Sequence, residues 1–354
     1  MVDIIILFGY FFTIVMYLFN IIVLTAQAKR SYRLNHKESF YSLCLCIGTL
    51  VIGALVLLTY GSFDVHLSII IVLCAGITFG FFVVSNLIHF LLERRKPPSK
   101  KEIDFTERES VRHEIVRKIF HIVLFFGIIT LLVVGFLIVE QLYNDKAPII
   151  NLDEMYFDYW GSLDGLNMHI LRAPDIGQGM IMLFFFLLTT IFIMNEGARV
   201  GKWYYFPLKK LAALGIREKE KETMASYVYF TLGMVFASIF LYPIPLFSII
   251  GILCFADTAA SLFGRRYGKH KLQFNKTKSW EGAVGGFVVC YIVTFLFVGP
   301  IWGLAASLVF LAIDLITPII PISDNIAIPI GVTGVYLLLS FLQVPMYLIV
   351  FAGL

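Results

Sequence analysis

The chain alternates between long, nearly unbroken apolar runs and short polar stretches. Ten apolar segments stand out, at roughly 4–25, 40–60, 66–92, 119–143, 179–195, 225–242, 244–263, 282–299, 301–320 and 327–352. Most run for about 18 to 25 residues, the length an α-helix needs to cross the hydrocarbon layer of a bilayer. The pattern predicts an all-α integral membrane protein of about ten transmembrane helices, with both termini outside. Residues 144–178 interrupt the series as a long acidic stretch carrying Asp145, Asp153, Glu154, Asp158, Asp164 and Asp175. On this topology they form an external loop, read as a solvated cap.

Composition agrees, because 59% of the residues are apolar, well above the globular norm. The charges then fix the orientation. The stretches 26–39, 93–118, 196–224 and 264–281 hold 4, 9, 7 and 6 lysines and arginines, 26 of the chain's 28, and only Lys146 and Arg172 fall on the other side. By the positive-inside rule these four loops are cytoplasmic. The five cysteines (Cys44, Cys46, Cys74, Cys254 and Cys290) all lie in apolar runs with no C-x-x-C pair, which excludes a disulfide framework or a zinc site. "LTAQAK" near residue 26 imitates a signal-peptidase site, but the apolar run before it is long and has no basic n-region, so the first segment reads as a retained anchor. The glycosylation pattern "NKT" at 275–277 falls on the cytoplasmic side, where it is not used.

The informative polar residues collect on that same face. "CFADTAASLFGRRYGKHKLQFNKTKSWEG", residues 254–282, places Asp257 inside an apolar segment. At 1.5 Å per residue, Asp257 lies about 10 Å along the helix from Gly264. Intramembrane carboxylates are costly and usually functional. Arg265, Arg266, Lys269, Lys271, Lys276 and Lys278 follow, with Gly264 and Gly268 expected to let backbone N–H groups approach anionic oxygens. A polybasic loop alone also suits anionic lipid headgroups. The flanking carboxylates Asp257 and Glu281 favour a nucleotide instead. Ser279 is placed to cap the next helix, which would make Glu281 a favourable first-turn charge. Gly282, Gly285 and Gly286 form a small-residue face suited to close packing on the seventh segment. Elsewhere, "HEIVRKIFH" sets Glu114, Arg117, Lys118 and His121 on one helix face, also explicable as a snorkelling basic belt. "MNEGAR" puts Glu196 and Arg199 three apart at a helix end. Asp314 is a second carboxylate within a span, and Asp324 with Asn325 sits in a proline-flanked turn.

These motifs, in this order, resemble the polyprenol kinase family, which includes dolichol, phytol and CTP-dependent diacylglycerol kinases. "DTAASLFGRRYGKHKL" with "TKSWEG" is similar to its D-x-x-A-x-x-x-G-x-x-x-G and K-[ST]-x-E-G signature. "EIVRKIFH", "EGAR" and "SDNIAIP" are similar to its E-x-x-R-K-x-x-H, E-x-x-R and D-N-x-x-x-P elements. The resemblance divides the chain into residues 1–113, three helices outside the matched region, and residues 114–354, the catalytic membrane region including loop 144–178. Where the family has a glutamate before the D-N element, this chain offers Asp314.

The resemblance implies transfer of the CTP γ-phosphate to an isoprenoid alcohol such as dolichol or a polyprenol, giving the lipid phosphate and CDP. Asp257, Lys278, Glu281 and His121 would be catalytic. Gly264, Arg265, Arg266, Gly268, Lys269, Lys278, Arg117 and Lys118 would hold the nucleotide, and Asp257, Glu281 and Asp324 would hold Mg²⁺. Glu114, Glu196, Arg199, Asp314 and Asn325 are further candidates. A general base would be Asp257, Asp314 or His121, with His121 better suited to orienting a phosphate. The expected partners are nucleotide, lipid alcohol and bilayer, with no nucleic acid. The expected membrane is the plasma membrane in a prokaryote, and the endoplasmic reticulum or a plastid membrane in a eukaryote. A cytidylyltransferase making a CDP-lipid is the nearest alternative, and an ion-coupled transporter using Asp257 and Asp314 is the alternative of another class.

Overall fold

A computed structural model describes residues 2–60, 65–93, isolated positions between 119 and 130, and residues 176–202, 204–207, 216, 220–317 and 319–346. Among the described residues the secondary structure is helical apart from one isolated bridge between Lys271 and Ser279. The helices are α1 (Val2–Arg33), α2 (Lys37–Tyr60), α3 (Val65–Glu93), α4 (Ile176–Glu196), α5 (Ser226–Phe240), α6 (Pro243–Gly251), α7 (Asp257–Tyr267), α8 (Trp280–Ile316) and α9 (Asp324–Phe341). Among the described residues six helical stretches are long and apolar enough to cross a membrane. Helix is what such sequences must adopt in lipid, where no water is available to satisfy an open backbone. The expected fourth segment, 119–143, lies mostly outside the described residues.

α8 is nominally 37 residues long, yet it holds two spans. Gly299, at φ 80° and ψ −176°, breaks it beside Pro300. In an unbroken helix Thr294 and Gly303 would stand about 13 Å apart, but the Thr294 hydroxyl donates to the Gly303 carbonyl at 3.2 Å. A Cβ on Gly286 would come within 3.0 Å of the Phe310 ring, and Lys278 reaches Asp314 at 2.5 Å. These pairs share nearly the same residue sum, the mark of two antiparallel strokes, 280–298 and 300–316. The separate eighth and ninth apolar segments of the sequence are therefore the two arms of one helical hairpin.

The arms show which side meets lipid. Val284, Val288, Ile292 and Leu296 form an exposed stripe, while Gly282, Gly286, Cys290 and Thr294 are buried. Small and polar residues turn inward and bulky apolar ones outward, as membrane helix packing requires.

The described chain falls into two compact units. The first comprises Met1–Glu114, Met182–Val235 and Pro321–Ile326, and the second Ile115–Ile181, Phe236–Ile320 and Ala327–Leu354. In the first unit α1 packs on α2 and α3. The α1–α2 turn closes through Asn35 in the left-handed region (φ 57°), with His36 N donating to Ser31 O at 3.0 Å. α1 also runs parallel to α4. Tyr17 stacks on Phe186, Asn20 donates to Thr190 at 2.9 Å, and Arg30 donates to Val200 O at 2.7 Å, a nearly constant offset of about 170 residues. Ser31, Ser39 and Tyr229 form a buried hydroxyl chain with 3.0 Å links, and Ser323 N donates to the Ser42 hydroxyl at 2.8 Å. In the second unit α6 and α7 pack on α8, and Ser248 bonds to Tyr336 at 2.7 Å.

Candidate active site

The seventh apolar segment is not a plain helix. Between α6 and α7, residues Ile252–Ala256 make a π-helical turn, and Asp257 is the residue that follows it. Such insertions widen a helix locally and often mark functional positions. Asp257 is half-buried, whereas the neighbouring Cys254 and Ala256 are fully buried.

α7 then crosses the first arm of α8 at very short range. A Cβ on Gly282 would lie 2.8 Å from Ala260 O and 2.9 Å from Gly264 Cα, and one on Gly286 would lie 2.7 Å from Ala260 Cβ. Ala260 and Gly264 on α7 thus face Gly282 and Gly286 on α8, each pair four residues apart and on one helix face. This is the close packing expected of the glycine face. Gly268 takes part as well, since a Cβ there would overlap the Gly264 carbonyl and meet Ser279 Oγ at 2.5 Å.

The loop from 268 to 279 is tied down at both ends and in the middle. Leu272 N donates to Lys278 O at 3.2 Å and Trp280 N to His270 O at 3.0 Å, around the Lys271–Ser279 bridge. Ser279 caps α8, accepting from Gly282 N at 3.3 Å, as expected. Asn275 is buried, and its amide donates to Leu315 O at 3.0 Å and Thr317 O at 2.7 Å. Those carbonyls end the second arm of the hairpin, where a helix otherwise leaves acceptors unsatisfied. The loop tip is thereby pinned to the far end of the helix it introduces, and the sequon asparagine is spent inside the protein.

Two ion pairs complete the loop. Lys278 Nζ lies 2.5 Å from Asp314 Oδ1, with side-chain exposures of 28% and 4%. Glu281 accepts from His270 N at 3.1 Å and pairs with His270 Nδ1 at 2.6 Å. Arg265, Arg266, Lys269, Lys271 and Lys276 are all exposed around this scaffold.

Around the two glycines, Lys269 N donates to Tyr267 O at 2.8 Å and His270 N to Glu281, while Gly264 lies against Gly282 and Gly268 against the Gly264 carbonyl and Ser279. Among the described residues no three His, Cys, Asp or Glu side chains gather in a group able to hold a metal ion; of the expected metal set, Asp257 and Glu281 belong to the second unit and Asp324 to the first.

The other predicted residues lie in the first unit or outside the described residues. Glu114, Arg117, Lys118 and His121 are outside them. Glu196 and Arg199, in the first unit, form a densely bonded knot. Arg199 Nε and Nη2 donate to Glu196 at 2.7 and 2.6 Å, and its guanidinium also reaches the carbonyls of Glu220, Lys221 and Thr223. Glu196 accepts from Ala225 N at 2.8 Å and from the Tyr227 hydroxyl. Through these bonds the pair holds segment 220–227 to the end of α4. Asp324 opens α9 in the first unit and accepts from Asn325 N at 2.9 Å. His270, Asn275 and Tyr227 were not singled out from sequence; only Asn275 carried a signal, as the odd sequon in a basic loop.

The second unit thus presents a tied-down basic loop after α7, the helix that opens on half-buried Asp257. Sequence comparison finds several similar proteins. Over 210 residues the chain is 31% identical to a probable chloroplastic phytol kinase of Oryza sativa subsp. japonica, covering 54% of this chain and 64% of that one. It resembles the polyprenol kinase family. It is 33% identical over 85 residues to a phytol kinase of Synechocystis sp., 23% of this chain and 36% of the relative. It is 30% identical over 100 residues to CTP-dependent diacylglycerol kinase 1 of Saccharomyces cerevisiae, 27% of this chain and 34% of the relative. Each alignment thus covers less than two thirds of the polyprenol-kinase-family relative. No family model and no solved structure matches the chain.

Proposed function

We propose that this protein is a CTP-dependent lipid kinase that transfers the γ-phosphate of CTP to a membrane isoprenoid alcohol, a dolichol or polyprenol, releasing CDP. The observation that carries the reading is the 268–279 loop, a fixed platform with five exposed cations around it, in a chain similar to phytol and CTP-dependent diacylglycerol kinases. Phosphoryl transfer asks little covalent chemistry of the protein and depends on positioning and neutralising phosphate charge.

In this reading Arg265, Arg266, Lys269 and Lys278 bind the triphosphate. Asp314 holds Lys278 in place, and Asn275 holds the loop that carries it. The alcohol oxygen forms a bond to the γ-phosphorus as the bond from that phosphorus to the β–γ bridging oxygen breaks. CDP leaves, and the hydroxyl proton passes to a base. We assign that role to Asp257, the half-buried carboxylate at the start of α7. The bound donor lies on the face of the basic loops, and the acceptor's chain stays in the bilayer.

The test is incubation of the purified full chain with a C55-type or longer polyprenol and either [γ-³²P]CTP or [α-³²P]CTP. Transfer of γ label to lipid with release of CDP is the expected result. Transfer of α label would make the protein a cytidylyltransferase, and no lipid labelling with any alcohol, diacylglycerol or phosphatidate would point to transport. An Asp257→Asn enzyme is expected to lose about 10²-fold or more in kcat, the usual contribution of a positioned base.

A further inference from the structure

The first unit contains a buried polar seam that the loop chemistry does not use. Asn20 Oδ1, Gln27 Nε2, Thr189 Oγ1, Asn195 Oδ1 and the Tyr204 hydroxyl are buried atoms with no hydrogen-bond partner. Asn20 and Gln27 are essentially inaccessible, at 0% and 1% exposure. Buried polar atoms are nearly always paired, so a group of unpaired ones calls for a guest.

The helix register locates it. α1 and α4 run parallel at an offset of about 170 residues, with Asn20 on Thr190 and Arg30 on Val200. Gln27 therefore falls opposite Gly197, where α4 gives way to a π-helical turn, Gly197–Gly201. Gly197 has no side chain to fill that level, and a Cβ there would overlap the Tyr204 hydroxyl. An unpaired amide donor and an unpaired hydroxyl thus reach the same level of the seam.

The surroundings are apolar and aromatic. Tyr204 packs edge-on against Phe82 at 4.9 Å, and Phe19 meets Phe79 and Phe82 at 6.4 and 6.5 Å. These rings cover a core of Met194, Ala198 and Phe206 and are only partly buried, so their edges reach the outer surface of membrane helices. An anionic guest is disfavoured, because buried Glu196 is next in the chain to Gly197. A guest with one neutral hydroxyl at the head of a long apolar chain satisfies both the polar level and the aromatic lining.

We propose that the α1–α3–α4 seam holds the acceptor alcohol in a bound state that precedes transfer, its hydroxyl engaged with Gln27 and Tyr204 rather than with Asp257. Its hydroxyl accepts from the Gln27 amide and pairs with the Tyr204 hydroxyl, and its chain lies along Phe19, Phe79 and Phe82. The assignment of that guest as a phosphate acceptor rests on the kinase reading. It gives work to the N-terminal helices, which lie outside the motif region.

The test is photolabelling of the full chain in detergent with a diazirine-bearing C20 isoprenoid alcohol, followed by peptide mapping. Label is expected on the segments holding Phe19 and Phe79–Phe82, displaced by excess unlabelled C20 alcohol and not by a C20 hydrocarbon. Losing one neutral hydrogen bond is worth roughly a fivefold drop in binding. Gln27→Leu and, separately, Tyr204→Phe should weaken labelling and raise the alcohol KM by about that factor while leaving the CTP KM unchanged. Tyr204→Phe removes one atom and keeps the ring packing, so it remains informative even where Gln27→Leu fails to fold. Labelling that the hydrocarbon displaces equally, or that both variants leave unchanged, overturns the proposal and leaves the seam to water. Labelling needs neither CTP nor turnover. Displaceable labelling at the seam without phosphate transfer would remove the kinase reading alone, and phosphate transfer without it would remove the seam alone.

Discussion

The Lys278–Asp314 pair joins the basic loop to the end of a membrane helix, and its two ends are unequal. Asp314 is 4% exposed and Lys278 28% exposed, at 2.5 Å separation. Lys278→Met removes the cation nearest a buried carboxylate, a change that costs up to about 3–5 kcal/mol in comparable buried pairs. Asp314→Asn leaves an ammonium that can turn toward water and keeps a polar acceptor beside it, so the expected loss is about 1 kcal/mol. Thermal unfolding of the purified variants in one detergent checks the order, with Lys278→Met well below Asp314→Asn. The double variant Lys278→Met/Asp314→Leu replaces the pair by apolar groups and should recover most of the single-site loss, giving a coupling above about 1 kcal/mol. Equal losses for the two single variants, or a double variant whose loss is the sum of both, would refute the buried-pair reasoning. In activity, Asp314→Asn should raise the CTP KM with a smaller change in kcat, since the lysine is present but no longer held.

Other expectations rest on equally local geometry. Gly282→Ala places a methyl 2.8 Å from Ala260 O and 2.9 Å from Gly264 Cα and should destabilise by about 1–3 kcal/mol through overpacking. Gly264→Ala meets its nearest neighbours at 3.4 and 3.6 Å and should be nearly neutral, so a thermal-shift comparison of the two tests the α7–α8 crossing directly. Asn275→Ala uncaps the Leu315 and Thr317 carbonyls and should cost about 1–2 kcal/mol, with faster limited proteolysis within 268–279. Because Arg265, Arg266, Lys269, Lys271 and Lys276 are exposed, the CTP KM should rise steeply with salt between about 0.05 and 0.5 M. A flat salt profile would move nucleotide binding away from this loop.

The apolar periodicity made the helical class and most span limits legible, because a run of bulky apolar residues long enough to cross lipid has few other structures open to it. It even separated 282–299 from 301–320, where one helix assignment runs through and only Gly299 and Pro300 mark the reversal. The glycine face of α8 was readable for the same reason, since small residues four apart permit close helix contact. The partners of the charges were not readable. Lys278 and Asp314 are 36 residues apart in the chain, and nothing local says that a hairpin will bring them together. The π-helical turn before Asp257 leaves no trace in composition, although it shifts the register of every later side chain in that span.

The reversal at Gly299 bears on how the protein is made. One non-helical residue separates the two arms, leaving no polar tether and no charge between them to instruct an inserting machinery. The second arm has no orientation signal of its own at that end, and the nearest cluster of cations is the 264–281 stretch before the first arm. Whichever side of the bilayer keeps that cluster during synthesis, the arms must enter as a pair with the turn leading. A nascent chain arrested between them would leave Cys290 and Thr294 without Ser307 and Gly303, their partners on the second arm, so the two arms make one unit of insertion.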